Sequence, residues 1–228
     1  MVDIIRDEEC EGLIQVDANN AFNTINRKVL LNNIYYLCPE IAIFTSNCYS
    51  IPARLFVVGG VEIESKEGTT QGDPIAMPIY AIGVRPLILA LLEQATEPPP
   101  KTNESTVRLC AIADDLSGAG KLVSLRHWWT KVLELGPTIG YTAKPSKSWL
   151  IVKEGVYEKA VKIFEGSGLN ITTEGRRHIG AVIGTNAFKD SFVSDRVTEW
   201  IEQVRKLTNI ARTEPHAAFS CLNTASRT

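Results

Sequence analysis

Two short β-forming runs in this chain each lead into aspartate, and that restricts the fold more than any bulk property does. Gly12-Leu-Ile-Gln-Val leads into Asp17, and the run from Val107 to Ala113 leads into Asp114-Asp115. Short segments rich in Val, Ile and Leu favour strands. A further run, Leu116 to Ala119, follows the Asp pair, so a hairpin is expected with Asp114-Asp115 at its tip. Once the first strand pairs with this hairpin, three carboxylates meet at one end of a small antiparallel sheet. An Asp-Asp pair alone is more often a solvated turn; a third acid at a strand end changes that balance.

The segments between supply the rest of the fold. Val29, Leu30, Asn33, Ile34 and Leu37 recur at helical spacing until Pro39 stops them. Residues 53–63 read as a hairpin turning at Gly59-Gly60. Asp73-Pro74 opens an apolar helix that Pro78 and Pro86 should kink. Its span to Leu92 carries Arg85, which at a bilayer centre costs about 2.5–3.5 kcal/mol, so it is expected to be a buried helix and no membrane partner is expected. Leu122, Leu125, Trp128, Trp129, Val132 and Leu133 form one helical stripe closed by Gly136-Pro137, with the tryptophans expected in the core. A strand over 148–153, a helix over 156–165, strands near 169–172 and 178–183, and a helix over 195–211 complete the series. This order predicts an α+β fold, a ferredoxin-like sheet with helices on one face. The weak break after Thr185 divides the chain into 1–185 and 186–228.

With 228 residues the chain can bury one core plus a small satellite. Its net charge of −2 hides a polarity. Residues 1–60 hold 4 basic and 7 acidic side chains, residues 61–120 hold 4 and 9, and residues 121–228 hold 16 and 10. An acidic front suits cations and a basic back suits phosphates. The 5 cysteines form no C-x-x-C pair, which argues against a disulfide framework or structural zinc. The acidic amino end lacks the apolar core of a signal peptide, so an intracellular location is expected, cytoplasm or nucleus.

Clustered carboxylates repel unless cations neutralise them, so a divalent-metal site is expected. Mg2+ fits, since it is usually held by one or two carboxylates together with substrate phosphates. Five motifs then stand in order. Asp17-Ala-Asn-Asn-Ala-Phe22-Asn resembles the first palm motif of reverse transcriptases, and Glu67-Gly-Thr-Thr-Gln71-Gly72-Asp73-Pro74 the second. Ala113-Asp114-Asp115 resembles the third, Lys144-Pro-Ser-Lys147-Ser-Trp the fourth and His178-Ile179-Gly180 the fifth, the primer grip. The resemblance runs from about Leu13 to Gly184.

The resemblance implies an RNA-directed DNA polymerase palm with partial fingers and a thumb stub, from a retrotransposon-type polyprotein. It implies two Mg2+ ions, replaceable by Mn2+, held by Asp17 and Asp114 with the Ala18 carbonyl and Asp115 beside them. Phe22 would be a steric gate against the ribose 2′-hydroxyl, where related viral RNA polymerases carry a polar residue. Gln71 and Gly72 would line the nucleotide and template, and Lys147 would donate a proton to the departing pyrophosphate or simply neutralise its charge. RNA template, DNA or RNA primer and dNTPs are the implied partners. Ile112 and Lys144 depart from the family's usual aromatic and asparagine. Only 16 residues precede Asp17, so most of the fingers are expected to be missing and the chain alone to be a poor polymerase. The alternatives are an inactive palm remnant that at most binds nucleic acid and, less favoured, another palm enzyme such as a nucleotidyl cyclase.

Overall fold

A computed structural model describes residues 9–70, 72–96 and 107–225, which fall into two compact units, Met1–Thr173 and Glu174–Thr228. The first unit opens with strand β1 (Gly12–Val16), a single helical turn α1 (Ala21–Thr24), and helices α2 (Arg27–Leu37) and α3 (Pro39–Tyr49). A hairpin of β2 (Ala53–Val57) and β3 (Val61–Ser65) and the long helix α4 (Ala76–Thr96) lead to β4 (Arg108–Ile112) and β5 (Asp115–Gly120). Helix α5 (Leu122–Leu135), β6 (Trp149–Val152), α6 (Tyr157–Ile163) and β7 (Asn170–Thr172) complete it.

Five of these strands form one mixed sheet in the order β4-β5-β1-β6-β7. β1 lies antiparallel between β5 (Gly12↔Gly120 to Val16↔Leu116) and β6 (Gly12↔Val152 to Gln15↔Trp149). Successive strand residues point to opposite faces, and Leu13 and Ile14 are both fully buried, so β1 is covered on both sides. The sheet is not antiparallel throughout, as the sequence had suggested, because β7 joins β6 in parallel. Helix α6 between them supplies the crossover that parallel neighbours require.

The core lies between the sheet and its helices. α5 turns Leu122, Leu125, Trp128, Trp129 and Val132 inward, as its stripe predicts. Trp128 lies so close over β5 that a Cβ on Gly118 would stand 3.2 Å from the indole. α4 buries Ile79, Tyr80, Val84, Leu87 and Leu91, whereas Met77 and Leu92 are exposed, so this helix is one-sided rather than wholly buried. No helix among the described residues is long and apolar enough to cross a membrane.

Several boundaries differ from expectation. Pro39 does end α2, but it also occupies the first turn of α3, where its missing N–H costs nothing. Ile112 pairs with Asp115, so the hairpin tip is Ala113-Asp114, and Asp115 is already a strand residue. In the second unit the expected single strand over 178–183 is a hairpin, β8 (Gly175–His178) and β9 (Ala181–Gly184), turning at Ile179-Gly180. Helix α7 (Asn186–Ala211) starts well before Asp195, because the Thr185 hydroxyl accepts from Phe188 N–H and caps it. A further helix, α8 (Pro215–Ala225), follows. The units part after Thr173 rather than after Thr185; Thr185 N–H donates to the Glu174 carbonyl at 2.7 Å, which keeps this hairpin with α7.

One carboxylate ties the start of β1 to two helices. Glu11 accepts from Leu122 N–H at the start of α5 (2.7 Å) and from the Lys159 ammonium of α6 (2.6 Å). A carboxylate at a helix N-terminus also meets the positive end of the dipole. Partial burial raises the pKa of Glu11, but Lys159 and the Leu122 amide outweigh it, and the net direction is down. The stabilisation is therefore present above the unfolded carboxylate pKa and is lost as pH falls through the lower folded value. Glu11→Gln is expected to cost about 1 kcal/mol at pH 7. Its urea midpoint should converge on that of the parent chain as pH falls below the folded pKa of Glu11; a deficit independent of pH would contradict the charge argument.

Candidate active site

β1 delivers Asp17 directly from its end. One step beyond Val16↔Leu116 in the antiparallel register, Asp17 stands beside Asp115. Asp114 occupies the β4–β5 turn next to it. All three acids are exposed. Ala113 holds φ at 55°, which costs a residue bearing Cβ about 1–2 kcal/mol. Such outliers persist where surrounding structure over-determines them, and functional sites are where they gather.

Tyr141 is the buried floor of this corner. Its hydroxyl donates to the Asp114 carbonyl at 3.2 Å. Burial first, then Tyr80, Asp114, Asp115 and Asp17 in turn, push its pKa far above the ordinary phenol value. All three carboxylates therefore lie within electrostatic reach of one hydroxyl, which stays protonated and a donor. Among the described residues no group of three or more His, Cys, Asp or Glu side chains is gathered to hold an ion. The acids share one end of the sheet without forming an all-protein cage. Mg2+ does not require one, because it keeps water and substrate oxygens in its sphere. The hard oxygen donors of Asp17, Asp114 and Asp115 are chemically suited to it.

The backbone at Asp17 is pinned by the fourth motif. Asp17 N–H donates to Ser148 Oγ (3.0 Å), and the Ser148 hydroxyl donates to the Lys144 carbonyl (3.0 Å). Lys144 N–H returns to the Asp17 carbonyl (2.7 Å), and Asn19 N–H to Thr142 (2.9 Å). These last two bonds flank the Ala18–Ala143 bridge, so the Ala18 carbonyl takes no part in it. Lys147 is exposed on the short 3-10 turn Pro145–Lys147, in the same segment.

Phe22 lies on α1, half-buried, with its ring stacked on Tyr80 of α4 at 4.3 Å between centroids and 29° between planes. Its carbonyl accepts from Thr69 N–H (2.6 Å), and Gly68 N–H donates to Ile25 (2.9 Å), so the second motif is laced onto α1. Gly68 has φ 74°, and a Cβ there would fall 2.3 Å from the Asn23 carbonyl carbon, so only glycine fits. Buried Arg27 holds the loop by donating to the carbonyls of Ser65 (2.9 Å), Glu67 (3.0 Å) and Gly68 (3.1 Å). Tyr49 donates a short hydrogen bond to Asp73, beside a cleft of about 440 Å3 that Gly72 also lines. Gln71 lies outside the described residues.

His178, Ile179 and Gly180 belong to the second unit, at the β8–β9 turn. Ile179 (φ 47°) and Gly180 (φ 78°) both take positive φ. That is ordinary for glycine and a marked outlier for a β-branched residue.

Sequence reasoning missed Tyr141, Ser148, Tyr80 and Arg27. Ser148 sits inside the fourth motif and Tyr80 on the apolar face of α4, but hydropathy does not separate either from an ordinary core position. Neither family models nor curated proteins give a match to this chain.

Ser148→Ala leaves the Asp17 amide without its acceptor and is expected to cost about 1–3 kcal/mol. Urea unfolding reads the loss; an unchanged midpoint would show that the Ser148 hydroxyl does not hold the Asp17 backbone.

Proposed function

We propose that this chain carries the palm of an RNA-templated DNA polymerase, a reverse transcriptase that joins deoxynucleotides to a primer 3′ end. The observation that carries the proposal is the β1–β5 register. It sets Asp17 beside Asp115 and the Asp114 turn, above a tyrosine that feels all three acids. The β-α-β-β-α-β succession, with β4-β5-β1-β6 as neighbours, supports a ferredoxin-like palm. The β2–β3 hairpin with α2 and α3 is the partial fingers on this reading, and the second unit the start of the thumb.

Asp17 and Asp114 would hold two Mg2+ ions, with the Ala18 carbonyl and Asp115 beside them. Bound there, they would supply charge that lowers the pKa of the primer 3′-hydroxyl and neutralises the leaving pyrophosphate. In the reaction the 3′-oxygen bonds to the α-phosphorus, the bond to the pyrophosphate oxygen breaks, and the hydroxyl proton passes to water. Lys147 places a positive charge where pyrophosphate departs. Gly72, without a side chain, lets template and nucleotide approach the backbone, beside Gln71. His178, Ile179 and Gly180 hold the primer, a role to which a strained turn is suited. Phe22 excludes the ribose 2′-hydroxyl, which makes the product DNA.

Asp114→Asn is expected to remove several kcal/mol of transition-state stabilisation, about 1,000-fold in primer extension on an RNA template. It should also weaken Mn2+ binding while leaving the circular dichroism spectrum unchanged. A folded parent chain with neither Mn2+ binding nor extension would overturn the polymerase reading and leave an inactive remnant.

Phe22→Ala is expected to lower the preference for dNTP over rNTP by about 10-fold or more. Competitive incorporation of the two nucleotides, or competition between them for binding, measures this. An unmoved ratio would reduce the ring to packing.

A further inference from the structure

The direction of the Phe22 ring cannot come from its own helix. α1 spans Ala21–Thr24, and its N-cap, Asn20, is left-handed at φ 48° and makes no side-chain capping bond. One turn of helix has no stability of its own, so tertiary contacts must orient what it carries. Thr69 holds the Phe22 backbone carbonyl, but that bond leaves the side chain free to turn. The ring itself lies against Tyr80, 4.3 Å away and only 29° from parallel. Tyr80 is 1% exposed and belongs to the same packed cluster as Ile25, Leu30, Ile79 and Val84.

The Tyr80 hydroxyl is buried with no hydrogen-bond partner among the described residues. Burial and then the charge of Asp114 raise its pKa, so it stays neutral. An unpaired buried hydroxyl opposes folding. What favours an aromatic residue at this position is therefore its ring. Aromatic pairs prefer offset stacking, which restricts both rings.

We infer that Tyr80 is a positioning residue for sugar selection: its buried ring is the fixed plane that holds Phe22, and so sets how far Phe22 reaches toward the nucleotide sugar. The inference rests on the reading of Phe22 as the gate. A phenylalanine without this plane could rotate about χ1 and admit a 2′-hydroxyl without any change at position 22. Selectivity would then be a property of two rings on two elements, α1 and α4.

The test compares Tyr80→Leu, which removes the flat partner, with Tyr80→Phe, which keeps it and removes the unpaired hydroxyl. Ring-13C phenylalanine spectra of the 228-residue chain, with the Phe22 signal assigned by its loss in Phe22→Ala, report the stack without needing turnover. Tyr80→Leu is expected to move the Phe22 signal to its random-coil position and to lower the dNTP/rNTP preference by about 10-fold. The loss should come from a lower KM for the ribonucleotide rather than from a lower kcat for the deoxynucleotide. Tyr80→Phe should restore both the shift and the preference, and its signal decides the matter even where Tyr80→Leu fails to fold. An unchanged Phe22 signal in Tyr80→Leu, or a Tyr80→Phe chain that loses the stack, overturns the inference. Phe22→Ala separates the two readings. If it lowers the preference while Tyr80→Leu does not, the inference falls alone; if it leaves the preference unchanged, the gate falls and the selection role of Tyr80 falls with it.

Discussion

β1 is the element on which the rest of the first unit depends. It is five residues long, covered on both faces, and hydrogen-bonded on both edges to strands a hundred or more residues away. Neither edge is satisfied by anything near in sequence. A buried strand with an unpaired edge would carry a row of unmet N–H and C=O groups, so β5 and β6 are obligatory partners. The same pairing decides where Asp17 emerges. The acidic corner is thus a consequence of how the core is closed, not an addition to its surface.

Two of the groups that hold that corner, Tyr141 and Ser148, are neutral and buried. Tyr141 donates to the Asp114 carbonyl and Ser148 accepts from the Asp17 amide, so these two acids are held through their main chains. The carboxylates themselves remain exposed to water and to ligands. This division separates two demands. Fixed backbones give positional accuracy, while solvated carboxylates avoid the large penalty of burying like charges together. The left-handed Ala113 belongs to the same arrangement, since a two-residue turn at the end of the sheet leaves the chain few other conformations.

The second motif is held by a different device. Arg27 places its guanidinium against three successive stretches of the 65–68 backbone, and its own amide donates to Glu67. A buried cation is tolerable only when its donors are occupied, and carbonyl oxygens occupy them here. The loop is thereby joined to α2, by the Thr69 amide on the Phe22 carbonyl to α1, and through Phe22 and Tyr80 to α4. One connected set of contacts links the loop, the Phe22 ring and the helix behind it.

Much of this was legible in the residues. β-forming runs ending in aspartate located β1 and the β4–β5 hairpin, and the stripe from Leu122 to Leu133 located α5, because local periodicity reflects which face is buried. The candidate acids, Phe22, Gly72 and Lys147 were also named from the chain alone, since they sit in short contiguous motifs. Local signals failed where the deciding interaction was distant or conformational. Pro39 reads as a stop and is also a start; the β8–β9 turn was hidden because Ile179 is among the residues least suited to positive φ. Tyr141, Ser148, Arg27 and Tyr80 look like ordinary core or loop residues until β1 pairs with β5 and β6, and α1 packs on α4. By itself, the sequence determined most of the strands and helices of the first unit and which residue types could carry chemistry, because those depend on nearest neighbours along the chain. Only the tertiary structure decided which acids share a corner and which buried groups hold them, because both follow from contacts between residues distant in sequence, 131 positions apart at Asp17 and Ser148.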